Sequence, residues 1–252
     1  MNERIVVGRG QRGPILSGNG GYVGGLLAKA LGEEHAVEVT YRAPVPLEMP
    51  LDIVRDGADR LRLMHADTLI CEARRAELAF VPEVPAIDWS RAERIWSAGG
   101  SHAGSAFAGC IVCGRERAEG DGLRVWGGPT GAGGESWSVY HPHAAHAGAD
   151  GRIGFEYVWG TLDCPGAWAA QDPDDWRPAL TGRMTARIVA RPKAGERCLV
   201  VGRRTGVDGR KLHSTTALYT ESGTLCAVAS QTWIVLKEDT YGGALDKPPT
   251  TA

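Results

Sequence analysis

The apolar positions of this chain follow two patterns, and each pattern is used twice. Runs of period two at 36–42, 51–54, 61–64 and 68–78, separated by Pro, Gly and Asp, predict four half-buried strands, with a shorter strand ahead of them at 5–8. Between the short strand and the four lies 17–31, where loop glycines lead into a segment apolar on nearly every side. It predicts a compact buried helix capped by Ser17 or Asn19. Gly24 and Gly25 inside that helix each cost roughly 1 kcal/mol relative to alanine, which predicts close packing against a sheet. The order then recurs: an apolar helix within 150–170, followed by strands at 182–189, 197–203, 211–219 and 224–236.

Three pairings support an internal repeat. Tyr22-Val-Gly-Gly-Leu-Leu-Ala28 lies over Tyr157-Val-Trp-Gly-Thr-Leu-Asp163, Arg42-Ala-Pro near Ala190-Arg-Pro, and Asp67-Thr-Leu-Ile-Cys-Glu-Ala73 over Gly223-Thr-Leu-Cys-Ala-Val-Ala229. The expectation is a tandem α+β fold whose halves are related by a pseudo-two-fold. The N-terminal unit would span 1–82. A Gly/Pro-rich linker at 83–135 would hold a short helix at 88–97 and a Cys-x-x-Cys, the C-terminal unit would span 136–238, and a flexible tail 239–252.

Composition narrows the function classes. With 252 residues, 43% hydrophobic, the chain can bury a sizeable core. A net charge of -2 gives no electrostatic reason to expect nucleic acid or an anionic membrane as partner. No window approaches the roughly 20 apolar residues of a membrane span, so a cytoplasmic protein is expected. The six cysteines are thinly spread and read as reduced.

One residue conflicts with its surroundings. Asp163 is a carboxylate inside the apolar stretch of the second helix, and burying it costs several kcal/mol unless it is paired or functional. It reads either as a catalytic acid or as a structural acid bonded to backbone at the kink that Pro165 imposes.

The Gly-rich loop entering a buried helix, the Arg-x-Pro strand and the final hairpin 219–231 resemble the hotdog fold of acyl-CoA thioesterases, and the repeat makes it a double hotdog. Asn19-Gly-Gly-Tyr-Val-Gly-Gly, Leu162-Asp-Cys-Pro-Gly, and Cys110-Ile-Val-Cys-Gly114 followed by Gly120-Asp-Gly-Leu-Arg124 are similar to segments of that superfamily. The resemblance implies antiparallel sheets wrapped around central helices, with the active site at the seam between the halves. It also implies a His at the helix entrance and an acid two turns in; here those positions hold Asn19 and, in the first half, Ala28, so that only the second half keeps the acid. The implied activity is hydrolysis of an acyl-CoA, with Asp163 as nucleophile or general base and the Gly20 and Gly21 amides meeting the oxyanion. Asn19 would donate through its amide or cap the helix. Thr181 or Thr185, with Thr185 preferred, and Gln231 would support the acid.

The substrate would be a small-molecule acyl-CoA, with the coenzyme A moiety as part of the substrate and no separate cofactor. Arg42, Arg74, Arg191 and Lys193 are candidates for its phosphates. Trp137, Trp159, Trp168 and Trp233 would line the core or an acyl tunnel. A non-catalytic acyl-CoA-binding protein is the alternative, and an enoyl-CoA hydratase is weaker, because no acid precedes His141 or His143 at the spacing that chemistry needs. Zinc held by Cys110 and Cys113 with His141, His143 or His146 is also weak on one Cys-x-x-Cys, so no metal is expected. Fused halves would suffice as a monomer, but exposed sheet edges favour a homo-oligomer.

Overall fold

A computed structural model describes residues 3–32, 34–78, 80, 86–99, 106–131, 133–172 and 174–237. The expected tail at 239–252 lies outside the described residues, as do parts of the expected linker.

The first half contains β1 (Glu3–Val6), α1 (Gly20–Leu31), β2 (Ala36–Tyr41), β3 (Pro50–Arg55), β4 (Arg60–His65) and β5 (Thr68–Ala76). After α2 (Trp89–Ala98) and the edge strand β6 (Trp126–Pro129), the second half contains β7 (Glu135–Tyr140), α3 (Phe155–Thr161), α4 (Asp163–Ala170), β8 (Ala179–Ile188), β9 (Cys198–Asp208), β10 (Lys211–Thr220) and β11 (Leu225–Val235). All strands join one antiparallel sheet in the order β1-β3-β4-β5-β2-β8-β11-β10-β9-β7-β6. The first half thus reads 1-3-4-5-2 and the second 7-9-10-11-8, the same topology met from opposite ends. The halves join where β2 pairs with β8, Val37 opposite Ala186 and Val39 opposite Met184. Even the strand exits repeat: Ile70 O accepts from the amides of Arg42 and Ala43, and Cys226 O from those of Val189 and Ala190.

The repeat fails at one place, the central helix. α1 runs twelve residues without interruption. Its counterpart is broken at Leu162 into α3 and α4. Pro165 has no N–H to offer the carbonyl of Thr161, so the helical ladder loses a rung there. The carbonyl of Leu162 turns instead to the sheet, accepting from Gln231 Nε2 at 2.5 Å and Thr216 Oγ1 at 3.1 Å.

α1 packs against α3, and this corrects the expectation drawn from its glycines. A Cβ on Gly24 would stand 2.9 Å from the Trp159 ring and one on Gly25 2.6 Å from Glu156 Cα, so the glycines accommodate the sister helix rather than a sheet. The segment expected as a linker is also corrected in part. Ile111, Val112, Leu123 and Val125 are buried in the main core among residues of both halves. The strands alternate faces with period two. Cys198 and Val200 point to the helices, while Leu199 and Val201 point outward to a second apolar cluster covered by Trp89, Ile95 and Trp96 of α2. Among the described residues, no helix is long and apolar enough to cross a membrane.

Candidate active site

The break in the second helix carries Asp163 to the first position of α4, opposite the start of α1. There it is 3% exposed. Asn19 caps α1, its Oδ1 accepting from the Tyr22 amide at 2.8 Å while its Nδ2 donates to Asp163 Oδ2 at 2.8 Å. Of the two roles expected of Asn19, the cap is present, and its Nδ2 donates to the Asp163 carboxylate. Thr181 Oγ1 donates to Asp163 Oδ1 at 2.8 Å. The Gly21 backbone amide lies close enough to the carboxylate to favour its ionised form. A Cβ on Gly21 would stand 2.7 Å from Asp163 Cβ, so only glycine lets the two helices bring these groups together.

Burial raises the Asp163 carboxyl from its usual range to about 6, and the charge of Cys110 adds to the rise; the bonds from Thr181, Asn19 and Gly21 pull the other way without cancelling it. Relative to an exposed aspartate, the ionised form costs the fold roughly 3 kcal/mol.

Thr185, the preferred threonine, does not reach this site. It faces outward between Glu38 and Ser230, on the same side of β8 as the exposed Arg183 and Arg187. The reason is a bulge: Thr232 pairs with Arg183 but Trp233 with Thr181, so Gly182 is an extra residue and parity reverses beyond it. Counting by twos from Thr185 puts Thr181 outside, whereas the bulge turns it in. Gln231 is placed one step from the expected contact. Its Oε1 accepts from Ser214 Oγ at 3.0 Å and its Nε2 holds the Leu162 carbonyl, so it positions the helix break rather than the carboxylate.

Gly20 is the first residue of α1, where a helix leaves its amides without intrahelical partners. Its carbonyl accepts from the Tyr41 hydroxyl, which burial keeps protonated by raising its pKa. The Gly21 amide, expected as a second oxyanion donor, lies beside the Asp163 carboxylate.

Asp163, Asn19, Gly20, Tyr41 and Thr181 open onto a cavity of about 430 Å³ between the halves. Apolar walls come from Phe107, Leu180, Trp168, Trp176 and Trp233. Of the tryptophans expected in core or tunnel, Trp168 and Trp233 line this cavity, Trp159 is core, and Trp137 lies in the outward cluster. Arg42 reaches the cavity rim and pairs with Glu72 at 2.9 Å. Arg74 pairs with Glu38, Arg191 with Asp150, and the Lys193 side chain is exposed away from the cavity lining.

Cys110 and Cys113, on a turn at 110–113, meet Cys164 of α4 at the same cavity. Bonds from the Cys113 and Cys164 thiols hold the Cys110 thiol well below its usual range, and donating to Cys110 pushes Cys164 up. The histidines expected beside the cysteine pair lie elsewhere. His141 faces Glu93 and Trp96, while His143 meets His146 edge-on and His146 packs against Tyr157. Tyr41 and Cys164 were missed by sequence reasoning; the position of Cys164 next to Asp163 was the available signal.

No protein-family model matches the chain, and no curated protein matches it. Solved structures do. The chain is similar to a provisionally assigned thioesterase from Novosphingobium aromaticivorans, at 16% identity and TM-score 0.61 over 93% of this chain and 95% of that one. A hot dog fold protein of unknown function from Alicyclobacillus acidocaldarius matches at 14% identity and TM-score 0.57, over 93% and 92%. A provisionally assigned thioesterase II from Thermobifida fusca matches at 17% and 0.56, over 93% and 92%. The fold is a double hotdog.

Proposed function

We propose that the protein hydrolyses the thioester of an acyl-CoA at the cavity between its halves. The observation that carries this reading is a buried carboxylate with a pKa raised to about 6, facing an apolar cavity beside a helix N-terminus. A carboxylate so poised is ionised at neutral pH yet basic enough to take a proton from water or to attack a carbonyl itself. Asn19 and Thr181 hold it in place. The Gly20 amide, at the positive end of α1, is the donor for the developing oxyanion. The apolar walls would take the acyl group, and a cavity of about 430 Å³ falls in the range that encloses small-molecule ligands. Arg42 at the rim is the candidate partner for a coenzyme A phosphate.

The competing reading is a non-catalytic acyl-CoA-binding protein. It is favoured by the fact that both oxygens of Asp163 already accept hydrogen bonds. The deciding experiment compares wild type and Asp163→Asn on acyl-CoAs of graded chain length and head group. Hydrolysis by wild type with a large loss in the variant supports the hydrolase. Equal rates would overturn the role of Asp163, and binding without turnover across the panel would favour the binder.

A further inference from the structure

The reaction proposed above makes no use of the three thiols beside Asp163. We propose that Cys110, Cys113 and Cys164 form a site for one thiophilic divalent cation of the zinc type, its fourth position open to the cavity. The three Sγ atoms all lie within 4.8 Å of one another. A tetrahedral zinc with bonds of about 2.3 Å to sulfur sets its sulfurs about 3.8 Å apart. Cys110 and Cys164 already stand at 3.9 Å, so one edge of that tetrahedron is present before any ion arrives.

The backbone around Cys110 suits a thiolate. The Val112 amide donates to Cys110 Sγ at 3.4 Å, and Asn19 Nδ2 approaches it at 3.8 Å. The Gly114 amide bonds the Cys110 carbonyl at 2.9 Å, closing the turn that sets Cys110 and Cys113 on one side. Donors of this kind orient metal ligands and tune their basicity. Cys164 arrives from a distant part of the chain through the same helix break that delivers Asp163. Three thiolates select soft or borderline cations over magnesium or calcium. Among the described residues, Cys71, Cys198 and Cys226 belong to no such group, and neither do the histidines.

Structural zinc is closed by four protein ligands, whereas three ligands with an exchangeable fourth mark a site that admits water or a ligand. All three cysteines line the Asp163 cavity. A water, or a sulfur or oxygen of a bound molecule, would complete the tetrahedron. Cation uptake would displace thiol protons into solvent.

The inference does not depend on thioester hydrolysis, because metal binding is read without substrate. The untagged full chain, with its thiols reduced and counted by a thiol reagent, is titrated with Co²⁺ and then with Zn²⁺ in competition with a chromophoric chelator. The expected result is one equivalent bound, with thiolate-to-cobalt charge transfer in the near ultraviolet and the visible bands of tetrahedral cobalt. Stoichiometric uptake should be lost in Cys113→Ser and in Cys164→Ser but kept in Cys226→Ser, with folding of each checked by circular dichroism. Cys164, at the cavity surface, is the variant least able to disturb the core. No uptake by the reduced wild type would overturn the proposal. So would uptake unchanged in the folded Cys164→Ser variant.

Discussion

The two central helices hold equivalent places in the two halves of the sheet but have opposite characters. α1 is continuous, keeps Ala28 at 1% exposure in the core, and ends at Gly32. Its sister is interrupted at Leu162 and carries Asp163 at the position that pairs with Ala28 in the sequence repeat. The difference shows how two halves of the same topology can carry different side chains to one site. One copy supplies a regular helix N-terminus with Asn19 and Gly20, while the other gives up a helical turn to aim a carboxylate at it. The break is held open by the sheet, through Gln231 and Thr216 on the Leu162 carbonyl.

The comparison can be broken most severely at the carboxylate itself. Asp163→Asn should lower kcat on a cleaved acyl-CoA by about 10²–10⁴-fold, the range lost with a general base. The mirror change, Ala28→Asp, should create no second site, because Ala28 is buried in the hydrophobic core. It should instead destabilise the fold by several kcal/mol, read as a fall in the denaturant midpoint, since the new carboxylate would be buried without partners. Gly21→Ala tests the close approach of the halves. Its methyl would collide with Asp163 and Trp159 O, so a loss of about 1–3 kcal/mol in stability and a fall in activity are expected together.

The bulge at Gly182 offers a paired test. Thr181→Val removes a donor from the ionised carboxylate, so the acidic limb of the pH–rate profile should move to higher pH and kcat should fall by about tenfold. Thr185→Val, on the outer face, should leave both within error. If the two threonines exchanged effects, the register at Gly182 would be wrong.

Much of the fold was legible because strand alternation and helix apolarity are local. The strands expected at 61–64 and 211–219 differ from the observed ones only at their ends. The repeat was legible because the Tyr-Val-x-Gly pattern and the Thr-Leu hairpin survived in both halves. Asp163 stood out because a charge in an apolar run has to be explained. Its partners were harder to read, for physical reasons. A single extra residue at Gly182 reverses which threonine points inward, and nothing in the local sequence distinguishes a glycine in a bulge from one in a regular strand. Gly24 and Gly25 announced a close approach but not to what. Cys110 and Cys164 are 54 residues apart, and their meeting depends on a core that the Gly-rich segment 106–131 was not expected to enter.

The central claim is that the second half retains Asp163 for chemistry and at a cost to stability. Because its folded pKa is raised above the ordinary 3.8, the native state binds the extra proton between about pH 4 and 6, and stability contributed by Asp163 falls as pH rises through that window. The direct measurement is unfolding free energy of wild type and Asp163→Asn across pH 4 to 8. The account predicts that the difference moves in favour of the variant by up to about 3 kcal/mol as pH rises, most of it by pH 7. A difference that is flat with pH, or that moves toward the wild type, would contradict it and make Asp163 a structural acid.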